Sequence, residues 1–501
     1  MASALSRPLA MLAASIVGAS LALHAWHAIG SAAYVDFVTG VWLALANDLA
    51  HGVFYRELVG PDGYGGTRYF PLFFTAIGAL MRLGVGPLAA GFLVSAVAAG
   101  LLVAGIRRVL SRFGLPPAIA AALALFVLAP RFLQQGLLAI RSDILAAGLV
   151  VWGLGFSLSA ADQERPKAKT LAAAAACFTL AVAAKVTSLY APAGVVLALL
   201  WAARPGAALR LSAMVAAGVA AMVAVVAAAS DGRAIESWLS CGLAGAGVAE
   251  WLASAPAVVF SQMIGPSRVF TATMLAASIA WVAMARARAP RMLLVIFPVT
   301  IAATAAVLAS PGTSYTNQLV DALAMGLVVI GWAVARFPRV RVPAMAVLLL
   351  LSLAAARQSV MPVASPDLRQ HARRMAAERG GLVRQLADLG APVLSESPEL
   401  LVLGGVRPYL LDPFTLRVLS VRRPDLMAPL HGDLDARRFE RVVLMYDPES
   451  QAGRGWYTNV DFGWPLMSRI LANYEFAEVQ AGLRVYHPKA VLPEESERRR
   501  P

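Results

Sequence analysis

"TLAAAAACFTLAVAAKVTSLYAPAGVVLALLWAA" fills residues 170–203. It is too long for one membrane crossing, which takes about 20 apolar residues for ~30 Å of hydrocarbon. Lys185 and Pro192 interrupt it, and basic segments flank it on both sides, "QERPKAK" at 163–169 and "ARPGAALR" at 203–210. Short loops rich in Lys and Arg stay in the cytoplasm, so a single tilted span would leave one basic flank on the wrong side. The run therefore reads as two short helices forming a hairpin, with Lys185 near its outer apex. A chain containing such a hairpin is polytopic.

The rest of the sequence agrees. Of its 501 residues 59% are hydrophobic and 14% charged, against roughly 45–50% and ~25% in soluble domains. Further apolar runs lie at about 9–29, 87–106, 116–131, 137–158, 209–229, 269–285, 291–309, 318–335 and 343–356. The basic segments "RRVLSRFG" (107–114), "ARARAPR" (285–291) and "RFPRVR" (336–341) separate alternate pairs of spans. The charge pattern predicts about 11–12 spans, with the N-terminus inside and the C-terminus outside. Between 70 and 106 two apolar stretches occupy a segment that needs an odd number of crossings, so the first is expected only to dip into the membrane. Arg7 precedes an apolar stretch longer than the 7–15 residues of a signal-peptide core, which predicts an uncleaved first span. The formal charge of +14 is a topology signal spread over short loops, not a nucleic-acid footprint. Cys177 and Cys241 suggest no disulfide framework, and no Cys- or His-rich metal spacing occurs.

After about residue 357 the composition turns polar. Ser365, Pro366 and Gly390 bracket a helix, "APVLSE", "ELLVLGG", "RPYLL" and "FERVVLMY" read as strands, and "WPLMSRILANY" reads as a helix. The expected division is a membrane domain over 1–356, with external loops at 30–69 and 230–268, and a soluble external α/β domain over 357–501 ending in a frayed "EESERRR". Asp412, Asp447 and Asp461 read as turn residues there.

Sorting the remaining polar residues by side places Asp36 and the whole 34–69 loop, Arg141, Asp143, Lys185, Asp231, Glu236, Arg268, Tyr315 and Asn317 at outer helix ends. Ionisable groups in spans are costly and usually line a cavity or pair. A lipid-bound sugar phosphate would enter such a site sideways from the bilayer. Its phosphate would need Arg or Lys, and an acceptor hydroxyl would need a carboxylate base. The loop after the first span, with Asp36, Asp48, Arg56, Glu57, Arg68 and Tyr69, reads as the catalytic loop.

Several short motifs then resemble the C-type (GT-C) glycosyltransferases, the class of protein O-mannosyltransferases and lipid A aminoarabinose transferases. They are Asp36 just after the first span, "HGVFYRE" (51–57) before "RYFPLF" (68–73), "RSD" (141–143), "AAKVTSLYAPAG" (183–194), "GTSYTN" (312–317) and "SESPELLVLGGVRPYLLDPF" (395–414). The resemblance implies transfer of a sugar from a polyprenyl-phosphate donor to an acceptor across the membrane, in a bacterial inner membrane with the C-terminus periplasmic. It implies Asp36 as the base, kept ionised by a cation such as Arg56 or Arg68, and Arg68, Arg141 and Lys185 on the donor phosphate. Asp48, Arg56, Glu57, Tyr69, Asp143 and Asn317 are candidates for the acceptor side or the loop. The acceptor is left as an envelope glycan, a lipid or a protein. Many relatives carry an acidic pair where Asp36 is followed by Phe37, which leaves use of a divalent metal open. Competing readings are an N-cap role for Asp36, interfacial snorkelling for Arg68 and Lys185, and a structural pairing of Arg141 with Asp143. A transporter or flippase of a lipid-linked sugar is the alternative function, and a catalytically inert envelope protein the third.

Overall fold

A computed structural model describes residues 2–31, 34–161, 163, 166–242, 267–287, 289–309 and 316–490. Most of the 230–268 loop beyond Gly242, Tyr315 and the "EESERRR" tail lie outside the described residues.

The chain opens with α1 (Ala2–Ser31), the loop helix α2 (Phe37–Ala50), the hairpin of β1 (Val59–Gly60) and β2 (Gly63–Tyr64), and the short α3 (Pro71–Arg82). Then come α4 (Pro87–Arg112), α5 (Pro117–Phe126), α6 (Arg131–Leu138), α7 (Asp143–Ala161), α8 (Ala168–Ala184), α9 (Tyr190–Trp201), α10 (Pro205–Ala229) and α11 (Arg233–Cys241). The membrane part closes with α12 (Arg268–Arg286), α13 (Arg291–Leu308), α14 (Val320–Arg336) and α15 (Arg341–Ala364). Among the described residues eight helices are long and apolar enough to cross a membrane, or nine if α5 and α6, bent by 72°, form one broken span. The chain is a multi-pass membrane protein.

The hairpin read from residues 170–203 is present. Helix α8 stops at Lys185, whose backbone is extended, a single 3₁₀ turn spans Val186–Leu189, and α9 begins at Tyr190. Pro192 falls in the first turn of α9, where a missing N–H breaks no helical bond. Both helices are shorter than those counted as spans, with 17 and 12 residues, so eight or nine spans stand among the described residues against the 11–12 expected. Helix α3 has 12 residues, about 18 Å at 1.5 Å per residue, and is too short to cross, in keeping with a segment that only dips.

The last span runs on past the expected boundary to Ala364, where Ser365 caps α16 (Pro366–Asp388) by accepting from the Leu368 amide. Beyond it lie β3 (Val393–Ser395), α17 (Pro398–Leu403), α18 (Pro413–Arg422), α19 (Ala428–Asp435), β4 (Arg441–Leu444), α20 (Gln451–Asn459), α21 (Trp464–Asn473), β5 (Tyr474–Gln480) and β6 (Leu483–Pro488). The sheet order is β3-β4-β6-β5, with β3 parallel to β4 and the other pairs antiparallel. "ELLVLGG" is not a strand but helix α17, started by Pro398 in its first turn. "RPYLL" contributes only an isolated bridge from Leu410 to Tyr64. The β5–β6 hairpin went unread; Ala481 and Gly482 both have positive φ, 52° and 76°, as a two-residue turn matched to strand twist requires.

Loop and domain are sewn together. The Tyr64 amide donates to Tyr409 O at 2.7 Å, the Leu411 amide donates to Tyr64 O at 3.1 Å, and the Tyr64 hydroxyl donates to Leu426 O at 2.5 Å. Gly63 makes this approach possible: its φ is +96°, and a Cβ there would stand 2.1 Å from Tyr409 O.

Candidate active site

Asp36 is the N-cap of α2. Its Oδ1 accepts from the Thr39 amide at 2.9 Å and the Thr39 hydroxyl at 3.0 Å, so the capping role foreseen for it is real. That hydroxyl lies also 2.7 Å from Ala139 O, fastening α2 to the turn after α6. The cap leaves the second oxygen for other work. Asp36 Oδ2 lies 2.5 Å from Arg141 Nη2, with the Asp36 side chain 35% exposed and Arg141 9%. The cation beside Asp36 is thus Arg141, not Arg56 or Arg68.

Arg141 is aimed by a strained turn. Ile140 before it is fully buried with φ 51°, a left-handed conformation that costs a β-branched residue about 1–3 kcal/mol and tends to persist where a site requires it. Two residues on, Asp143 opens α7 and pairs with Lys185 Nζ at 2.7 Å. Asn317 donates to Asp143 Oδ2 at 2.5 Å, Lys185 also donates to Gln318, and Asp321 lies 3.9 Å from Lys185. The start of α2, the start of α7, the apex between α8 and α9 and the start of α14 therefore meet at one end of the bundle. Lys185 belongs to this network, paired with Asp143 and close to Asp321.

Arg68 stacks on Phe414 of the C-terminal domain, its Cζ 4.0 Å from the ring centroid and 5.9 Å from that of Tyr69. Tyr69 packs on Trp42 with centroids 4.2 Å apart, and its carbonyl accepts from the Tyr55 hydroxyl and the Trp238 indole. Asp48 and Arg56 face each other instead of Asp36: Arg56 Nε and Nη2 reach Asp48 at 2.5 and 2.7 Å with both side chains under 5% exposed. Arg407 adds a third contact to Asp48 and pairs with Asp62, and Arg56 donates to Pro408 O. This is a joint between loop and domain. Glu57 is exposed, and Asp231 pairs with nearby Arg233.

Residues missed by the sequence reading stand close by. Glu399 and Arg379 form an ion pair, with Glu399 1% exposed; burial, and then nearby Asp36, push Glu399 up to about 7 against the pull of Arg379. Asp412 caps α18 and is buried, which raises its carboxyl although Arg68 opposes the shift. Asp321, an acid inside an apolar span, carried a signal that could have been read; Glu399 and Arg379 carried none. Among the described residues no three His, Cys, Asp or Glu converge as metal ligands. His24 is engaged through both ring nitrogens, 2.7 Å from Gln134 Oε1 and 2.7 Å from the Tyr34 hydroxyl.

No protein-family model matches the chain, and no curated protein sequence is similar to it. Solved structures are. ArnT from Cupriavidus metallidurans bound to undecaprenyl phosphate aligns over 95% of this chain and 97% of its own, with a TM-score of 0.59 and 12% identity. The Archaeoglobus fulgidus oligosaccharyltransferase in its apo form aligns over 93% of this chain and 73% of its own, at 0.55 and 10%. AglB from the same organism, in complex with an inhibitory peptide and a dolichol-phosphate, aligns over 94% and 74%, at 0.51 and 11%. The chain has the polytopic GT-C glycosyltransferase fold, as its motifs implied.

Proposed function

We propose that the protein is a glycosyltransferase that moves a sugar from a polyprenyl-phosphate donor to an acceptor hydroxyl, on the periplasmic side of a bacterial inner membrane. The observation that carries this reading is the Asp36–Arg141 pair, set beside the Asp143–Lys185–Asn317 network at one end of the helix bundle. ArnT and AglB were each solved with a polyprenyl-type phosphate, which supports a donor of that chemistry here.

In this mechanism Asp36 Oδ2 takes the proton of the attacking hydroxyl. Oδ1 is committed to the helix cap and Oδ2 lies beside Arg141, so the carboxylate is held in one orientation. As the bond from sugar to phosphate breaks, negative charge grows on the leaving phosphate. Lys185 and Arg68 are the cations placed to meet it, Lys185 by shifting from Asp143 towards the phosphate. The polar groups gather where the starts of α2, α7 and α14 meet the apex between α8 and α9, which we read as a transferase site, with a transporter of a lipid-linked sugar as the alternative.

The test is transfer from radiolabelled polyprenyl-phosphate sugars into an envelope extract by the wild type and Asp36→Asn. We expect transfer by the wild type and a loss of at least about a hundredfold in the variant, with a thermal scan confirming that the variant folds, since Asn still caps the helix although the pair with Arg141 is lost. Equal transfer by both would sink the role of Asp36; no transfer by either across a broad donor panel would sink the enzyme reading.

A further inference from the structure

The mechanism above leaves one buried ion pair next to Asp36 without a task. Arg379 projects from α16 and Glu399 from the first turn of α17, both in the C-terminal domain. Arg379 Nη1 donates to Val35 O at 2.8 Å, on the residue immediately before Asp36, while its Nη2 holds Glu399. Glu399 in turn lies against the first turn of α2, which Asp36 caps. A methyl group at Gly40 would stand 2.4 Å from Glu399 Oε2 and 2.7 Å from its backbone nitrogen, so α17 and α2 cross there in direct contact. Glu399 Oε2 is buried without a hydrogen-bond partner.

We propose that Arg379 and Glu399 are positioning residues, a clasp through which the C-terminal domain fixes the backbone at Val35 and thereby the orientation of Asp36. The inference rests on the reading of Asp36 as base. Asp36 has its own cap and Arg141 beside it, and Arg379 adds a contact from the C-terminal domain to the backbone just before it, where the cap begins. Two groups of opposite sign face Glu399: Arg379 on α16, which favours its ionised form, and Asp36 at the head of α2, which opposes it.

The geometry makes the clasp sensitive to pH. Glu399 is raised from 4.5 to about 7, chiefly by burial. Below that pH it is neutral and holds Arg379 by an ordinary hydrogen bond. Above it the pair is fully ionic and the grip on Val35 is strongest. Transfer activity should therefore climb as pH rises through about 7, by way of a group that does not itself touch substrate.

Glu399→Gln, Glu399→Asp and the doubly neutral Arg379→Met/Glu399→Gln chain separate positioning from bulk stability, the double variant leaving no unpaired buried charge. Two readouts on the full-length protein in lipid nanodiscs test the clasp. In hydrogen exchange, amides of residues 35–40 should lose protection in the double variant while α7 and α14 keep theirs. In transfer assays Glu399→Gln should lower kcat by about tenfold or more with KM for the donor nearly unchanged, and lose the rise near pH 7. Glu399→Asp should restore part of both. Wild-type protection at 35–40 in the double variant overturns the clasp whether or not the protein transfers sugar. So does a Glu399→Gln enzyme with the wild-type pH profile. A wild type that transfers nothing counts against the enzyme reading alone, and the exchange result still decides the clasp.

Discussion

Asp36 has two oxygens and two tasks. One oxygen caps α2 by accepting from the Thr39 amide and the other faces Arg141, so a favoured helix cap and a candidate base are the same side chain. Gly40, one turn on, shows how little room this leaves. Any side chain there meets Glu399 at both its carboxyl and its backbone, and α17 cannot yield without disturbing the Arg379 contact to Val35. Gly40→Ala should destabilise the protein by about 1–3 kcal/mol, visible as a lowered Tm, and should reduce transfer more than the stability loss accounts for. A Gly40→Ala protein with wild-type Tm would show that the crossing is looser than it stands here.

Among the elements, the end of β3 and the end of α20 bring two carboxyls together. Glu396 accepts from the Met445 amide at 2.7 Å, the Tyr457 hydroxyl at 2.7 Å and the Trp456 indole at 2.5 Å. Asp461 is fully buried with no donor to either oxygen, and burial followed by the nearby Glu396 charge raises it well above its ordinary 3.8. The folded protein thus keeps a proton on Asp461 that the unfolded chain releases above about pH 4. With more protons bound folded than unfolded, stability falls as pH rises from about 4 towards the folded value, by ~1.4 kcal/mol per pH unit at most. Asp461→Asn should remove this slope, raising Tm at pH 8 and matching the wild type near pH 4.5 in a thermal scan. The pair matters to the site because Trp456, held by Glu396, packs edge-on against Phe37 with centroids 5.8 Å apart.

For the molecule as a whole, the joint between loop and domain governs whether the helical bundle and the C-terminal domain act as one body. Asp48, Arg56 and Arg407 form its charged centre and Tyr64 its apolar one. Arg56→Met leaves Asp48 buried with only Arg407, and loss of one partner of a buried pair costs about 3–5 kcal/mol. The expected result is a lower Tm with cleavage of the 51–66 loop by added protease; a loop that stays resistant would show that the Tyr64 contacts suffice.

Hydropathy and loop charge are local properties, and they determined by themselves the multi-pass character of the chain, the break at Lys185 and the polar loop after α1, though they counted 11–12 spans where eight or nine described helices are long and apolar enough. The same local rules placed Ser365 as a cap and β4 as a strand, and erred at "ELLVLGG", where Pro398 and packing on α2 outweighed β-prone side chains. Which charge meets which was beyond local reading. Arg141 reaches Asp36 from 105 positions away, Asn317 reaches Asp143 from 174, and Arg379 reaches Val35 from 344. An ion pair needs its partners within about 4 Å, and only the crossing of helix ends and the docking of the C-terminal domain bring these groups that close.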